Sequence, residues 1–217
     1  IDGELIYRGI NIRDIIAGCQ QEHRFSFEET VWLLLMGGLP TGAQLSRFSD
    51  ILAACRDLPA NFTEDMIMKV ASRNIMTMLS RSVLALSSYD DAPDDTSLEN
   101  VMRQSIRLVA WMPAIMAAAY QVKRRVYDGR SMYLHNPNPE YSTAQNILRL
   151  LRPDKQFTDE EARLLDLCLT LHSEHGGGNN STFAVRVLTS SGTDTYSAIS
   201  AGIGALKGPR HGGASGK

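Results

Sequence analysis

"TDEEARLLDLCLTLHSEHGGGNNSTFAVRVLTS" occupies positions 158–190. Thr158 and Glu161 have the S/T-x-x-E spacing of a capping box, in which each side chain satisfies a backbone N–H that the first helical turn leaves free. Leu164, Leu165, Leu167 and Leu169 come next without a break, so a helix is expected over about 159–172. Gly176, Gly177 and Gly178 stop it, and Asn179, Asn180 and Ser181 supply caps for a second helix over about 181–190. Two helices joined by a polar junction make the local unit of an all-α chain.

The same punctuation recurs outward from this stretch. Capping boxes are expected at Ser26 with Glu29, Thr41 with Gln44, and Ser142 with Gln145. Helices are read after Ser26 as far as Gly37-Gly38, and over about 42–56, 64–71, 75–88, 98–123, 143–151 and 195–206. Pro113 should kink or divide the longest of them, because a ring at that position removes a hydrogen bond and crowds the preceding turn. Only Glu4-Leu5-Ile6-Tyr7 looks extended, and it leads through Gly9 into a short helix that Asn11 can cap. The loop-like stretches 88–96 and 134–140 are short enough to be connections inside one domain.

Composition narrows the function classes. The 217 residues are 43% hydrophobic and 21% charged, with 22 Lys plus Arg against 24 Asp plus Glu. A net charge of −2 gives no general field for nucleic acid or an anionic membrane, so neither is expected as a partner. No apolar run reaches the roughly 20 residues that cross a bilayer, and no basic start precedes an apolar stretch. A cytoplasmic location is expected. Cys19, Cys55 and Cys168 lie far apart in apolar periodic stretches and are expected to be buried, reduced, structural thiols. The chain begins Ile1-Asp2-Gly3 and ends Ala214-Ser215-Gly216-Lys217, and both ends are expected to be cut.

Two constellations can carry chemistry. His172 and His175 are three apart and would share one face if the helix ran through them, with Cβ atoms about 5–6 Å apart. By residue chemistry alone such a pair before a glycine C-cap is more often two satisfied histidines than a ligand site. A metal at His172, Glu174 and His175 would need further ligands that the spacing does not provide, so no metal is expected. The second constellation is "GALKGPRHGGASGK" at 204–217, where His211 stands between a basic residue and two glycines. A histidine on such a turn can reach a ligand unobstructed and exchange protons near neutral pH, and an exposed loop with an incidental histidine reads equally well. Gly212-x-x-x-Gly216-Lys217 has the wrong spacing for a phosphate loop and no preceding strand. Lys123-Arg124-Arg125 reads as a solvated run at a helix end, favourable to the helix dipole.

Taken together, "DGELIYRGINIRDI" at 2–15, "HSEHGGGNNSTF" at 172–183, Asp194-x-Tyr196-Ser197-Ala198-Ile199 and "GALKGPRHGGA" at 204–214 resemble the citrate synthase family, including its 2-methylcitrate synthase relatives. The resemblance covers essentially the whole chain. It implies a multi-helical large domain of an acyltransferase that condenses acetyl-CoA with oxaloacetate to give citrate and CoA. A partial, N-terminal portion of that domain would occupy 1–217, with the small domain absent. A homodimer and no bound cofactor are implied, acetyl-CoA being a co-substrate, and the residues that hold it are not identified. His211 matches the histidine that polarises the thioester carbonyl. His175 matches the one that helps bind oxaloacetate, Ser181 matches the serine that orients the catalytic histidine, and His172 and Asn179 support them. The family's second catalytic histidine, its proton-removing aspartate and its carboxylate-clamping arginines belong to the small domain, so the chain alone is expected to be inactive. Two alternatives go with this reading: a 2-methylcitrate synthase using propionyl-CoA, or a noncatalytic dimerisation module whose interface is the Met-rich stretch from Met66 to Leu86.

Overall fold

Helix starts obey the local caps wherever no stronger partner intervenes. The computed structural model describes residues 3–174 and 176–213; His175, Ile1, Asp2 and the Ala214–Lys217 end lie outside the described residues. In chain order a small antiparallel ladder, β1 (Ile6–Tyr7) and β2 (Ile10–Asn11), precedes α1 (Ile12–Gln21), α2 (Phe27–Met36) and α3 (Gly42–Ala54). A π-helical segment (Thr63–Met68) leads to α4 (Ile75–Ala85), a 3-10 turn (Leu86–Tyr89) and α5 (Leu98–Tyr127). The remaining helices are α6 (Thr143–Leu151), α7 (Asp159–Leu171), α8 (Asn180–Thr189) and α9 (Thr195–Leu206). The chain is all-α in class. Among the described residues no helix is long and apolar enough to cross a membrane.

Asn11 caps α1 by accepting from Arg13 N, and the capping boxes at Thr41, Ser142 and Thr158 are all formed. The box expected at Ser26 is not. Its hydroxyl donates to Asp166 Oδ2 at 2.7 Å, and the same carboxylate accepts from Ser26 N and Phe27 N at 2.6 and 3.1 Å. A buried carboxylate from another helix is a stronger acceptor than a local hydroxyl at the positive end of α2. Glu29, released from the box, pairs with Arg24.

Three further expectations are corrected. The helix read over 64–71 is a π-helical segment over Thr63–Met68, in which Lys69 N reaches back five residues to Glu64 O at 3.2 Å. The wider turn buries Ile67 beside Phe62. Pro113 does not divide α5, which runs 30 residues, four beyond the expected end at its C-terminal side. One lost hydrogen bond is outweighed by the buried stripe on both sides of the proline: Leu108, Trp111, Ile115, Ala118 and Val122. The thiols are free, but only Cys19 is buried; Cys55 is half-buried and Cys168 exposed. On α7 the inward stripe runs Ala162, Asp166, Thr170, and Cys168 faces away from it. Burial, and then the charge of Glu29, push the Cys19 thiol up to about 12, so it stays a neutral core group.

The chain forms two compact units, residues 1–56 with 135–175 and residues 57–134 with 176–217. In the first, Tyr7, Ile12, Ile15, Cys19 and Leu33 make the core under β1 and β2. In the second, α4, α5 and α9 enclose Phe62, Met78, Val83, Leu86, Ile115 and Tyr196. Each such apolar side chain contributes about 1.5–3 kcal/mol by leaving water. Of the Met-rich stretch that the module reading assigns to an interface, Met78, Leu79, Val83 and Leu86 are buried within the unit's own core, whereas Val70 and Leu84 are exposed.

α8 lies against α9 at a point where α9 has no side chain. A Cβ at Gly202 would stand 2.8 Å from Val185 Cγ2, whereas one at Gly204 would meet nothing within 4 Å. Gly202→Ala is therefore expected to destabilise by about 1 kcal/mol net, overpacking of about 1–3 kcal/mol being partly offset by alanine's better helix propensity. Gly204→Ala should stabilise by up to about 1 kcal/mol. Urea unfolding of the pair checks this, and equal shifts for the two variants would refute the close approach.

Candidate active site

The candidate residues fall in both units. In the first, the end of α7 is held by a residue that sequence reading treated only as extended. Tyr7, fully buried, donates its hydroxyl to Thr170 O at 2.8 Å, with Leu171 O at 3.2 Å, and accepts from Glu174 N at 3.3 Å. These are the carbonyls that a helix C-terminus leaves unsatisfied. Burial raises the phenol above its ordinary range, so it remains a donor. Nothing in "GELIYRGI" marks Tyr7 for this duty, since its partners are more than 160 residues away.

α7 ends at Leu171, one residue short of the expected boundary, and His172 is its C-cap. The imidazole does not continue a helical face. Its Nδ1 lies 2.7 Å from Cys168 O, and since a carbonyl only accepts, Nδ1–H donates. His175, the other member of the pair expected to share a face, lies outside the described residues.

In the second unit, a glycine loop leads into α8. Gly176 has φ +105°, a conformation that L side chains rarely adopt. Asn179 is the N-cap, its Oδ1 accepting from Thr182 N at 2.9 Å while its Nδ2 donates to Gly176 O at 3.1 Å and to Thr182 Oγ1 at 2.8 Å. Of the three residues expected to supply caps, Asn179 alone takes the position; Asn180 and Ser181 are already helical. Ser181 Oγ instead lies 2.9 Å from His211 Nε2.

His211 is carried on a turn folded tightly back on the end of α9. Its N–H donates to Gly208 O at 3.0 Å, and Gly213 N reaches the same carbonyl at 3.2 Å. A Cβ at Gly212 would stand 2.5 Å from Leu206 Cδ1 and 2.9 Å from Leu206 O, and one at Gly213 would collide with Lys207 O. The two glycines thus let backbone pass over backbone, which is a second reason for them beyond open access to the imidazole. Two arrangements satisfy this bond: Ser181 Oγ–H donates to Nε2 and the ring proton sits on Nδ1, or Nε2–H donates to Ser181 Oγ.

A buried polar cluster anchors the other end of α9. Asp90, in the stretch read as a plain connection, accepts from Tyr196 Oη at 2.7 Å, from Arg103 Nη2 at 2.6 and 2.9 Å, and from Gln104 Nε2 at 3.1 Å. Sequence could not select it among the four aspartates of "DDAPDD" at 90–95. Among the described residues no group of three His, Cys, Asp or Glu side chains is arranged to hold a metal ion.

The family model described as "Citrate synthase, C-terminal domain" matches residues 1–217. The chain is similar to the citrate synthase of Haloferax volcanii, at 37% identity over 98% of this chain and 53% of that protein. It is also similar to 2-methylcitrate synthase 2 of Corynebacterium glutamicum, at 32% identity over 97% and 52%. Among solved structures, the citrate synthase of Pyrobaculum aerophilum matches with a TM-score of 0.81 at 29% identity, covering 99% of this chain and 52% of that one. The citrate synthase of Thermoplasma acidophilum, solved as a ternary complex with carboxymethyl coenzyme A and oxaloacetate, matches with a TM-score of 0.81 at 26% identity over 95% and 51%. The chain spans about half the length of the curated relatives it matches. By its full-length match to the family model, its identity to these relatives and its all-α fold, the chain belongs to the citrate synthase family.

Proposed function

We propose that the chain carries part of the active site of an acyltransferase that joins the acyl group of an acyl-CoA to oxaloacetate, giving citrate and CoA when that group is acetyl. The observation that carries the reading is the 2.9 Å bond between Ser181 Oγ and His211 Nε2 in a chain of this family. Removing a proton α to a thioester shifts an electron pair onto the carbonyl oxygen, and the growing negative charge needs a fixed donor. His211 Nδ1–H is that donor, and Ser181 holds the ring in the tautomer that provides it. The nucleophilic α-carbon then bonds to the ketone carbon of oxaloacetate, and water cleaves the thioester to release CoA.

His175, supported by His172 and Asn179, is assigned to oxaloacetate. The start of α8 beyond Asn179 presents backbone donors of the kind that attract carboxylates. No bound cofactor takes part, and acetyl-CoA is a co-substrate. Propionyl-CoA is the second reading for the acyl donor, favoured by the 32% identity to a 2-methylcitrate synthase. A homodimer belongs to the same proposal, with the exposed Phe183 and Val187, four apart on α8, as an apolar surface to cover.

The test is CoA release from acetyl-CoA or propionyl-CoA with oxaloacetate, using the protein at the full length of its relatives. No release with either donor overturns the reading. Ser181→Ala should lower kcat about tenfold, in line with one neutral hydrogen bond of about 1.4 kcal/mol, without moving the unfolding midpoint by more than about 2 °C. Unchanged kcat in that variant would remove Ser181 from the mechanism.

A further inference from the structure

Arg186 lies in the last turn of α8, and its side chain takes the direction that helical geometry prescribes, back toward the helix start. Its guanidinium ends against the glycine loop. A Cβ at Gly177 would stand 3.3 Å from Arg186 Nη2 and 3.7 Å from both Cζ and Nη1. All three guanidinium atoms therefore sit on the side of the loop that a Gly177 side chain would occupy. No carboxylate among the described residues comes within ion-pair distance of Arg186.

An exposed arginine without an ion pair gains little from electrostatics, and fixing its long side chain costs conformational entropy of up to about 2 kcal/mol. The contact it makes is with the segment that most needs restraint. Three successive glycines have the largest backbone freedom of any tripeptide, yet Gly176–Gly178 must deliver Asn179 to its N-cap geometry. Asn179 Nδ2 ties the loop by its bond to Gly176 O. Arg186 supplies a second tie, from five residues beyond Ser181 on the same helix.

We propose that Arg186 is a positioning residue of the active site: its flat guanidinium holds the Gly176–Gly178 loop against the start of α8, and through the Asn179 cap it fixes Ser181 toward His211. The absence of a Cβ at Gly177 is the other half of the device, since a methyl there would make the guanidinium give by a few tenths of an ångström. The structural part stands on this geometry, and the catalytic part rests on the acyltransferase reading.

The experiment uses the full-length protein and three variants, Arg186→Ala, Arg186→Lys and Gly177→Ala. Amide hydrogen exchange is measured over residues 176–182, together with kcat and KM for acetyl-CoA and oxaloacetate and the unfolding midpoint. Arg186→Ala is expected to speed exchange of that segment about tenfold and to lower kcat about tenfold, the scale of a sub-ångström misplacement, with KM nearly unchanged. Gly177→Ala should move both in the same direction. Arg186→Lys should restore neither, because a compact ammonium on a flexible stem cannot replace the planar guanidinium. Unchanged exchange in Arg186→Ala, or full restoration by lysine, overturns the proposal, lysine rescue marking the role as one of charge. If exchange rises in the variants while no form releases CoA, the loop-holding role stands and the acyltransferase reading alone fails.

Discussion

His211→Ala in the full-length protein is expected to lower kcat by about 10²–10³-fold, the range measured when one oxyanion donor is removed. KM for oxaloacetate should stay within about threefold, because the carboxylates are assigned to other residues. The unfolding midpoint should hold, since the turn is made by backbone bonds from His211 N and Gly213 N to Gly208 O, which alanine keeps. A rate near that of the parent would end the assignment of His211. A large fall in midpoint would instead show that the imidazole, half-buried against Ser181, is a structural group. The prediction exceeds that for Ser181→Ala for a physical reason. Ser181 only biases which nitrogen carries the proton, whereas the donor itself is lost with His211.

How far the sequence reached depended on how far apart the interacting residues are. The boxes at Thr41, Ser142 and Thr158 close over three residues, and all three form as read. Ser26 has the same local spacing, but its partner Asp166 is 140 residues away and no pattern within α2 announces it. Pro113 does not divide α5 for the same reason, since what holds the helix together is packing on both sides of the proline. In the site, the residue types at Asn179, Ser181 and His211 were legible as a polar junction and a glycine-flanked turn. That Ser181 meets His211 is a tertiary fact, dependent on α8 packing on α9 across Gly202. Tyr7 and Asp90 were missed because an extended tyrosine and a loop aspartate are ordinary in sequence, and become distinctive only through the buried partners they satisfy.

Asp90→Asn is expected to cost about 3 kcal/mol at neutral pH, the lower end of the range for breaking a buried charge pair. The lower end applies because the Asp90 side chain is 2% exposed while Arg103 is 35% exposed and can partly rehydrate. Burial by itself would raise the Asp90 carboxyl. Donors from Tyr196, Arg103, the Ala92 backbone and Gln104 outweigh it and hold the group well below the usual carboxylate range. Tyr196 is displaced the other way, by burial first and then by its bond to Asp90, so it stays a donor throughout the neutral range. A carboxyl whose folded pKa lies below its unfolded value of about 3.9 stabilises fully above that value, and the contribution is lost as pH falls through it toward the folded pKa. Asparagine cannot ionise and presents an NH2 group to donors, so the variant should start less stable and lose less on acidification. Urea unfolding of the full-length parent and variant at pH 7, 5 and 3.5 measures this, and the gap between them should narrow at the lowest pH. A gap that stays constant with pH would mean that the loss is one of packing and shape, with the charge on Asp90 making no contribution to holding the start of α9.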